Sequence, residues 1–167
     1  MRVMIIGNAG SGKSTLARQM ANALNWPLLQ LDTLWHADDY SAAAKARFIA
    51  AQHQFMLHNS NWIIDGNYAS TVAERQEQAN LIIVCRVARL VAVARVLRRS
   101  WRFHRDAASR PEMPANFTEH LDRDYWDFIK YVWHYQQPQL GVLRPGQRLV
   151  VVRNQREKRM LLRRLVK

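Results

Sequence analysis

The chain has 167 residues, a length that fits one domain and leaves two independently folded domains improbable. Hydrophobic residues make up 49% of it and charged residues 23%, so the composition is that of a globular protein and excludes a disordered chain. The formal net charge is +12, from 25 Lys and Arg against 13 Asp and Glu. Such an excess indicates anionic partners, phosphate groups or nucleic acid, although a basic surface can also serve solubility alone.

The cysteine content and the apolar runs indicate in which cellular compartment the protein is expected. A single cysteine, Cys85, excludes an intramolecular disulfide framework and a cysteine-built zinc site. The apolar run before Gly7 is too short for the core of a secretory signal. The most apolar later stretch, residues 81–97, is interrupted by arginines, whereas a membrane span needs roughly 20 mostly apolar residues. We therefore expect a cytoplasmic protein without a membrane span.

Strands and helices alternate along the whole chain. Short apolar runs predict strands at residues 2–6, 27–32, 62–67, 81–85 and 149–152. Helical spacing of apolar residues predicts helices at 13–24, 41–57, 87–103 and 117–137, a short polar helix between the third and fourth strands, and a basic helix from the cap Asn154 to Leu165. This alternation predicts an α/β fold with a parallel sheet and right-handed crossovers.

A glycine-rich segment lies between the first predicted strand and the first predicted helix. Residues 7–14 read Gly-Asn-Ala-Gly-Ser-Gly-Lys-Ser and fit the pattern GxxxxGKS. In such a loop the glycines let the backbone wrap closely, and its N–H groups and the helix N-terminus face phosphate oxygens. We therefore predict that Lys13 reaches the outer phosphates of ATP and that Ser14 ligates Mg²⁺. The predicted nucleotide-binding residues of this loop are Asn8, Ala9, Gly10, Ser11, Gly12, Lys13, Ser14 and Thr15.

A carboxylate, Asp65, ends the hydrophobic part of the third predicted strand, and Gly66 and Asn67 follow it as a turn. Because Mg²⁺ prefers hard oxygen ligands and keeps several waters, Asp65 is a candidate to hold those waters as the partner of Ser14. An aspartate before Gly-Asn also forms turns by bonding to its own backbone. Both interpretations of Asp65 stay open at this point.

Taken together, these motifs resemble the P-loop kinases of the adenylate kinase type, and within them the small bacterial proteins named DNA topology modulation proteins. The resemblance covers nearly the whole chain and rests on the phosphate loop, the strand-end Asp32, an arginine-rich helix, and the runs 62–68 and 110–113. The run 62–68, Trp-Ile-Ile-Asp-Gly-Asn-Tyr, is the most specific. In adenylate kinases an Asp-Gly pair also ends the third strand, but the Phe-Pro-Arg that follows is replaced here by Asn-Tyr-Ala, which weakens the case for AMP as acceptor.

The resemblance implies a P-loop NTPase three-layer sandwich: a five-stranded parallel sheet in the order 2-3-1-4-5 with helices on both faces and a lid excursion. Residues 1–167 would form a single kinase-like domain, with a helical insertion on the acceptor side at 33–60 and a lid-like segment at 100–117. The implied activity is transfer of the γ-phosphoryl group from ATP, with Mg²⁺, to a nucleotide or another small acceptor, catalysed mainly by positioning and charge stabilisation.

Arginines are expected to supply much of the positive charge that stabilises the moving phosphoryl group. Arg95 and Arg99 lie four residues apart on one helix face and are similar in placement to a pair that touches adenine and the phosphates in adenylate kinases. The resemblance therefore implies Lys13, Asp32, Arg95 and Arg99 as catalytic residues, and Arg95 and Asn154 as further nucleotide contacts. The arginines expected in or near the lid are Arg102, Arg105 and Arg110. Any one of these arginines can equally belong to the solvated face of an amphipathic helix.

The acceptor side is expected to combine Asp32, the loop 35–40 and the helix 41–57. In related small-molecule kinases a carboxylate at the position of Asp32 binds or deprotonates the acceptor hydroxyl, whereas a phosphate acceptor needs an arginine, for which Arg47 is available. Asp32 as a plain helix cap or turn residue is the alternative. The predicted acceptor-binding residues are Asp32, Arg47, Asp65 and Asn67.

The predicted helix 117–137 is rich in aromatic residues. Trp126, Ile129, Trp133 and Gln136 follow a helical stripe, which favours packing in the core over stacking on nucleic-acid bases. The basic helices nevertheless leave a second function open, that of a nucleotide-regulated nucleic-acid-binding protein that grips the DNA backbone and uses the phosphate loop as a switch. Weak nucleic-acid binding through the basic surface is compatible with either function.

Overall fold

Five parallel strands form one sheet in the order β2-β3-β1-β4-β5, as expected from the resemblance. The structure is a computed structural model that describes residues 1–106 and 122–166. The strands are β1 (Arg2–Gly7), β2 (Leu28–Gln30), β3 (Trp62–Asp65), β4 (Leu81–Cys85) and β5 (Arg148–Val152). The runs of β1, β3 and β4 are almost wholly buried, which is typical of parallel strands covered on both faces.

Seven helices in the described part of the chain connect and cover the strands. They are α1 (Lys13–Leu24), α2 (Leu31–His36), α3 (Ala42–His58), α4 (Ala69–Gln78), α5 (Arg89–Arg105), α6 (Arg123–His134) and α7 (Gln155–Val166). On one face of the sheet, Leu16 and Met20 of α1 pack with Leu161 of α7. On the other face, Phe48 of α3 and Val72 of α4 fill the core. The result is the three-layer arrangement that the motifs predicted.

The register of the sheet brings the ends of four strands to one edge. Ile5 of β1 pairs with Asp65 of β3, Asp65 pairs with Gln30 of β2, and Gly7 pairs with Cys85 of β4. Ligands of open parallel sheets bind at the carboxyl edge, so the phosphate loop, the end of β3 and the end of β2 share one site. Gly7 is required there, because a Cβ atom would lie 2.3 Å from the carbonyl oxygen of Cys85.

Helix α3 begins where the sequence predicted. Ser41 is the N-cap, and its Oγ accepts a hydrogen bond of 3.0 Å from the backbone N–H of Ala44. The cap of α7 is also as predicted: Asn154 Oδ1 accepts the N–H of Glu157 at 2.9 Å, and Glu157 accepts the N–H of Arg153 at 2.7 Å. The pair resembles a capping box, except that the glutamate bonds to the residue before the cap, and it starts α7 directly after β5.

Two local expectations were wrong. Strand β2 ends at Gln30, and Asp32 lies in the first turn of α2 rather than at the end of a strand. In α6 the side chains of Tyr125 and Val132 are buried, whereas Trp126 and Trp133 are 54% and 39% exposed, so the stripe of Trp126 and Trp133 does not face the core. The reason is that, among the described residues, the main packing partner of α6 is one helix, α5, which it meets through Val132, Ala92 and Val96, so that only a narrow strip of α6 is buried.

Most of the predicted lid, including Arg110, falls in residues 107–121 and lies outside the described residues. Within the described ranges, no helix combines the length and the apolar character that crossing a membrane requires.

Candidate active site

The phosphate loop has the shape that its glycines allow. Gly10 and Gly12 have φ of 71° and 80°, a region that side chains with a Cβ rarely adopt. The N–H of Ser11 bonds to the carbonyl of Asn8 at 3.2 Å and closes a tight turn, and α1 begins immediately afterwards at Lys13. Backbone N–H groups and the N-terminus of a twelve-residue helix therefore meet at one point, an arrangement suited to the negative charge of a phosphate chain.

The loop is anchored to its surroundings by side chains as well. Asn8, which is buried, donates from Nδ2 to the carbonyl of Val132 in α6 at 2.8 Å. Asn67 makes two hydrogen bonds with Gly7, accepting from its N–H and donating to its carbonyl, each at 3.0 Å. The hydroxyl of Tyr135 also donates to Asn67, at 3.3 Å. Asn67, predicted to contact the acceptor, therefore holds the start of the phosphate loop in this structure.

Lys13 lies between two carboxylates, Asp65 and Asp32. Its Nζ is 4.0 Å from Asp32 Oδ2, and its side chain is nearly buried. Burial by itself would lower the pKa of Lys13, but the nearby charges of Asp65 and Asp32 raise it above its ordinary value. Lys13 thus stays an ammonium ion at neutral pH.

Asp65 and Ser14 offer hard oxygen atoms beside that lysine. Asp65 is 3% exposed, and burial raises its pKa, against the opposing effects of the Lys13 charge and of a hydrogen bond with Ser14. Its Oδ1 is a buried acceptor without a hydrogen-bond partner. An unsatisfied carboxylate oxygen next to a serine hydroxyl is the donor set that Mg²⁺ takes, directly or through its waters, so the residues present fit this ion.

Helix α5 brings a group of arginines to the phosphate loop. Arg95 donates from Nη1 to the carbonyl of Gly10 at 3.2 Å. Arg99 lies close enough to lower the pKa of Lys13 by charge repulsion, although the net shift of that pKa is upward. An open cavity of about 290 Å³ beside the loop is lined by Arg95, Arg98, Arg99 and Arg102. The predicted pair Arg95 and Arg99 therefore shares one basic cavity with two further arginines.

Other predicted residues lie further from the loop or have other partners. Arg105 stacks on its own helix, with its guanidinium 3.6 Å from the ring centroid of Trp101. Arg47 is bonded to Asp38 by two hydrogen bonds of 2.8 and 2.6 Å. Asn154 caps α7. Thr15 is exposed in the first turn of α1 and Ala9 packs against the contact between α5 and α6.

Two basic residues of the site were missed by sequence reasoning. Lys158 of α7 is 4% exposed and donates a hydrogen bond from Nζ to the carbonyl of Ser11. Arg75 of α4 is fully buried and donates to the carbonyls of Gly66 at 2.7 Å and Asn67 at 2.7 Å. No local signal in the sequence marks either residue, because both are cations within predominantly polar helical segments.

Several solved structures of other proteins share this fold. A predicted kinase from Chloroflexus aurantiacus superposes with a TM-score of 0.64, at 18% identity, over 98% of this chain and 95% of that one. The fold is that of the P-loop kinases. Shikimate kinase from Acinetobacter baumannii shares this kinase fold with a TM-score of 0.57, at 14% identity, over 99% and 90% of the two chains. Deoxyadenosine kinase from M. mycoides shares it with a TM-score of 0.51, at 14% identity, over 99% and 98%. No protein-family model matches the sequence, and no curated protein matches it.

Proposed function

We propose that this protein is an ATP-dependent phosphotransferase that moves the γ-phosphoryl group to a hydroxyl of a small acceptor. The observation that carries the proposal is the distance of 4.0 Å between Lys13 Nζ and Asp32 Oδ2. Lys13 belongs to the phosphate loop, and Asp32 belongs to α2, on the acceptor side. A hydroxyl that bonds to Asp32 would therefore lie next to the phosphoryl group that Lys13 holds, which is the arrangement that in-line transfer needs.

The proposed reaction uses each part of the site. The acceptor oxygen bonds to the γ-phosphorus, the bond between that phosphorus and the β,γ-bridging oxygen breaks, and ADP leaves. The hydroxyl proton passes to the carboxylate of Asp32. Lys13, Arg95 and Arg99 stabilise the negative charge on the moving group, because Lys13 lies at the end of the loop and the two arginines line the adjacent basic cavity. Mg²⁺ bound at Ser14 and Asp65 would neutralise charge on the triphosphate.

The finer assignment follows the motifs. We place the chain with the adenylate kinase type and nearest the DNA topology modulation proteins, on the strength of the run 62–68. The loop 8–15 would bind the phosphates of ATP, with Arg95 and Asn154 as additional nucleotide contacts. Arg102, Arg105 and Arg110 would belong to the lid. The protein would act in the cytoplasm.

A phosphoryl-transfer screen tests the proposal. ATP and Mg²⁺ are incubated with nucleosides, nucleoside monophosphates, sugars and hydroxy acids, and ADP formation is compared with that in water alone. We expect one acceptor class to raise ADP formation at least tenfold. Lys13→Ala should abolish the transfer and weaken ATP binding while leaving the melting temperature within about 3 °C, since its side chain points into the site. Lys130→Ala, an exposed lysine of α6, is the matched control and should behave as the parent.

A different result would favour the regulatory function. If no acceptor is consumed, if Lys13→Ala hydrolyses ATP at the rate of the parent, and if DNA affinity changes with bound nucleotide and falls steeply with salt, the phosphotransferase proposal is wrong.

A further inference from the structure

Four aromatic rings, from three parts of the chain, form a group centred on Trp35 of α2, the helix that also carries Asp32. Trp35 of α2 meets Phe48 of α3 edge to face, with ring centroids 5.5 Å apart at 81°. The ring of Tyr68 lies 4.8 Å from Phe48 and 6.1 Å from Trp35. Tyr40 completes the group, at 5.7 Å from Trp35. Phe48 is buried, Trp35 and Tyr68 are half-buried and Tyr40 is exposed, so the group is a wall with a buried base and an open rim.

The wall is tied to the carboxylate. The hydroxyl of Tyr68 donates to Asp32 Oδ1 at 3.1 Å, and Asp32 Oδ2 is the atom that faces Lys13. Asp32 keeps 45% of its side chain exposed, so solvent and small molecules reach it. A molecule that lies against the aromatic wall therefore presents its hydroxyl at the oxygen that faces the phosphate loop.

The backbone at Tyr68 supports a role beyond packing. Its φ is 24°, an angle that non-glycine residues rarely adopt, and the ring position depends on it. The turn is held by the buried Arg75, which donates to the carbonyl of Tyr68 at 3.2 Å as well as to the two carbonyls before it. Tyr68 is thus held in a strained conformation by the buried Arg75, and its hydroxyl bonds to Asp32, the candidate base. Strain of this kind is typical of sites that position a ligand.

The charge of this side is opposite to that of the whole protein. Residues 32–47 carry three aspartates against one lysine and one arginine, in a chain of net charge +12. The arginine, Arg47, is held by Asp38 and lies 3.7 Å from Asp39. Its hydrogen bonds lower the pKa of Asp38 to about 2, so that pair stays ionised at neutral pH. Lys13, 4.0 Å from Asp32, would be taken by the γ-phosphate of ATP, so an acceptor bearing a phosphate or a carboxylate would meet Asp32 and an arginine that two carboxylates already occupy.

We propose that the acceptor is an uncharged alcohol with a flat ring, of the chemistry of a nucleoside, and not a nucleotide or a hydroxy acid. The proposal rests on the proposed function, because it names the molecule whose hydroxyl receives the phosphoryl group. The flat ring would lie against Trp35 and Tyr68, whose half-buried side chains leave part of the aromatic surface accessible. The hydroxyl donates to Asp32, gives up its proton there and forms the new bond to the γ-phosphorus of ATP as ADP departs.

Binding measured without transfer tests the acceptor class. The protein is saturated with Mg²⁺ and a non-hydrolysable ATP analogue, and calorimetry measures the affinity for adenosine, guanosine, cytidine, thymidine, their 5′-monophosphates and shikimate. We expect at least one nucleoside to bind at least tenfold more tightly than its own monophosphate and than shikimate. Because each nucleoside and its monophosphate differ only in the phosphate, this ratio measures the effect of acceptor charge.

Two variants test whether Asp32 and Trp35 determine this ratio of nucleoside to monophosphate affinity. Asp32→Asn should weaken nucleoside binding and reduce the preference over the monophosphate at least fivefold, since the repelling charge is gone. Trp35→Leu should weaken nucleoside binding while leaving the preference unchanged, since it removes only a ring. Asp127→Asn, an exposed carboxylate of α6, is the control and should match the parent. Melting curves of each variant confirm that it is folded before binding is compared.

Failure of this inference is distinguishable from failure of the proposed function. Tighter binding of a monophosphate or of shikimate than of every nucleoside, or nucleoside binding that neither variant changes, overturns the acceptor class even where the transfer screen finds a product. Absence of transfer to every acceptor overturns the function, and it is read from a separate assay.

Discussion

Lys158 and Ser11 are joined by a hydrogen bond that spans 147 residues of sequence, from the ammonium of the C-terminal helix to a carbonyl within the phosphate loop. The ammonium also lies close to the neighbouring glycine: a Cβ atom on Gly12 would be 2.8 Å from Lys158 Nζ, so a side chain there would displace the ammonium. Burial lowers the pKa of Lys158 from its ordinary value. Helix α7 therefore contacts the phosphate loop through Lys158, and this residue outside the GxxxxGKS motif helps to hold the loop conformation.

Replacing this lysine should affect nucleotide binding more than folding. Lys158→Met keeps most of the buried volume and removes the donor, so the Ser11 carbonyl loses its partner. We expect ATP affinity to fall about tenfold, with kcat at saturating ATP within about threefold of the parent and the melting temperature within about 4 °C. Arg159→Met, at the next position of α7, is the control. An unchanged ATP affinity would contradict the supporting role.

Asp65→Asn separates the metal interpretation from the turn interpretation. Asparagine forms the same turns as aspartate. If Asp65 only forms a turn, this substitution should therefore leave turnover unchanged. A carboxylate that holds the ion's waters would lose about ten- to a hundredfold in Mg²⁺-dependent turnover, while ATP affinity without metal changes less than about threefold. Turnover measured across a magnesium titration decides between them. Asp124→Asn, in the first turn of α6, serves as the control.

Arg99 should act on the chemical step. Charge on the transferring group is greatest in the transition state, so Arg99→Ala is expected to lower kcat by about a hundredfold and to change the Kd of ATP less than threefold. Single-turnover kinetics and equilibrium ATP binding measure the two effects separately. Arg89→Ala removes an exposed arginine from the first turn of the same helix and should change neither. Equal losses of binding and kcat would indicate that Arg99 holds ATP in the ground state.

Arg75 gives a prediction about stability. Burial lowers its pKa to about 10, so it stays charged at neutral pH with its guanidinium spread over backbone carbonyls. Lysine has the charge but not the planar set of donors, so Arg75→Lys should leave buried carbonyls unpaired and lower the free energy of unfolding by about 2–4 kcal/mol. Urea unfolding measures this difference. Arg153→Lys, exposed after β5, should change it by less than about 0.5 kcal/mol.

The sequence by itself determined the features that are local in the chain. The strand–GxxxxGKS–helix segment has its shape because its glycines adopt positive φ and because a helix N-terminus follows at once. The positions of Lys13 and Ser14 at the start of that helix could therefore be predicted from residues 7–14 alone. Buried β-branched runs predicted the strands, and the family resemblance supplied their order. Ser41 and Asn154 were recognisable as caps because a cap acts on residues only three positions away.

Tertiary structure alone decided which distant side chains meet. Asp32 reaches Lys13 because β2 ends early and α2 turns the carboxylate toward the loop, a boundary set by packing rather than by propensity. Arg47 pairs with Asp38 across nine residues, although the sequence suggested it for an acceptor phosphate. Lys158 and Arg75 look like surface cations in a helical pattern, and only the burial of one helix face against the rest of the fold turns them inward. Periodicity describes one helix at a time, whereas a side chain's partner is fixed by the neighbour that covers it.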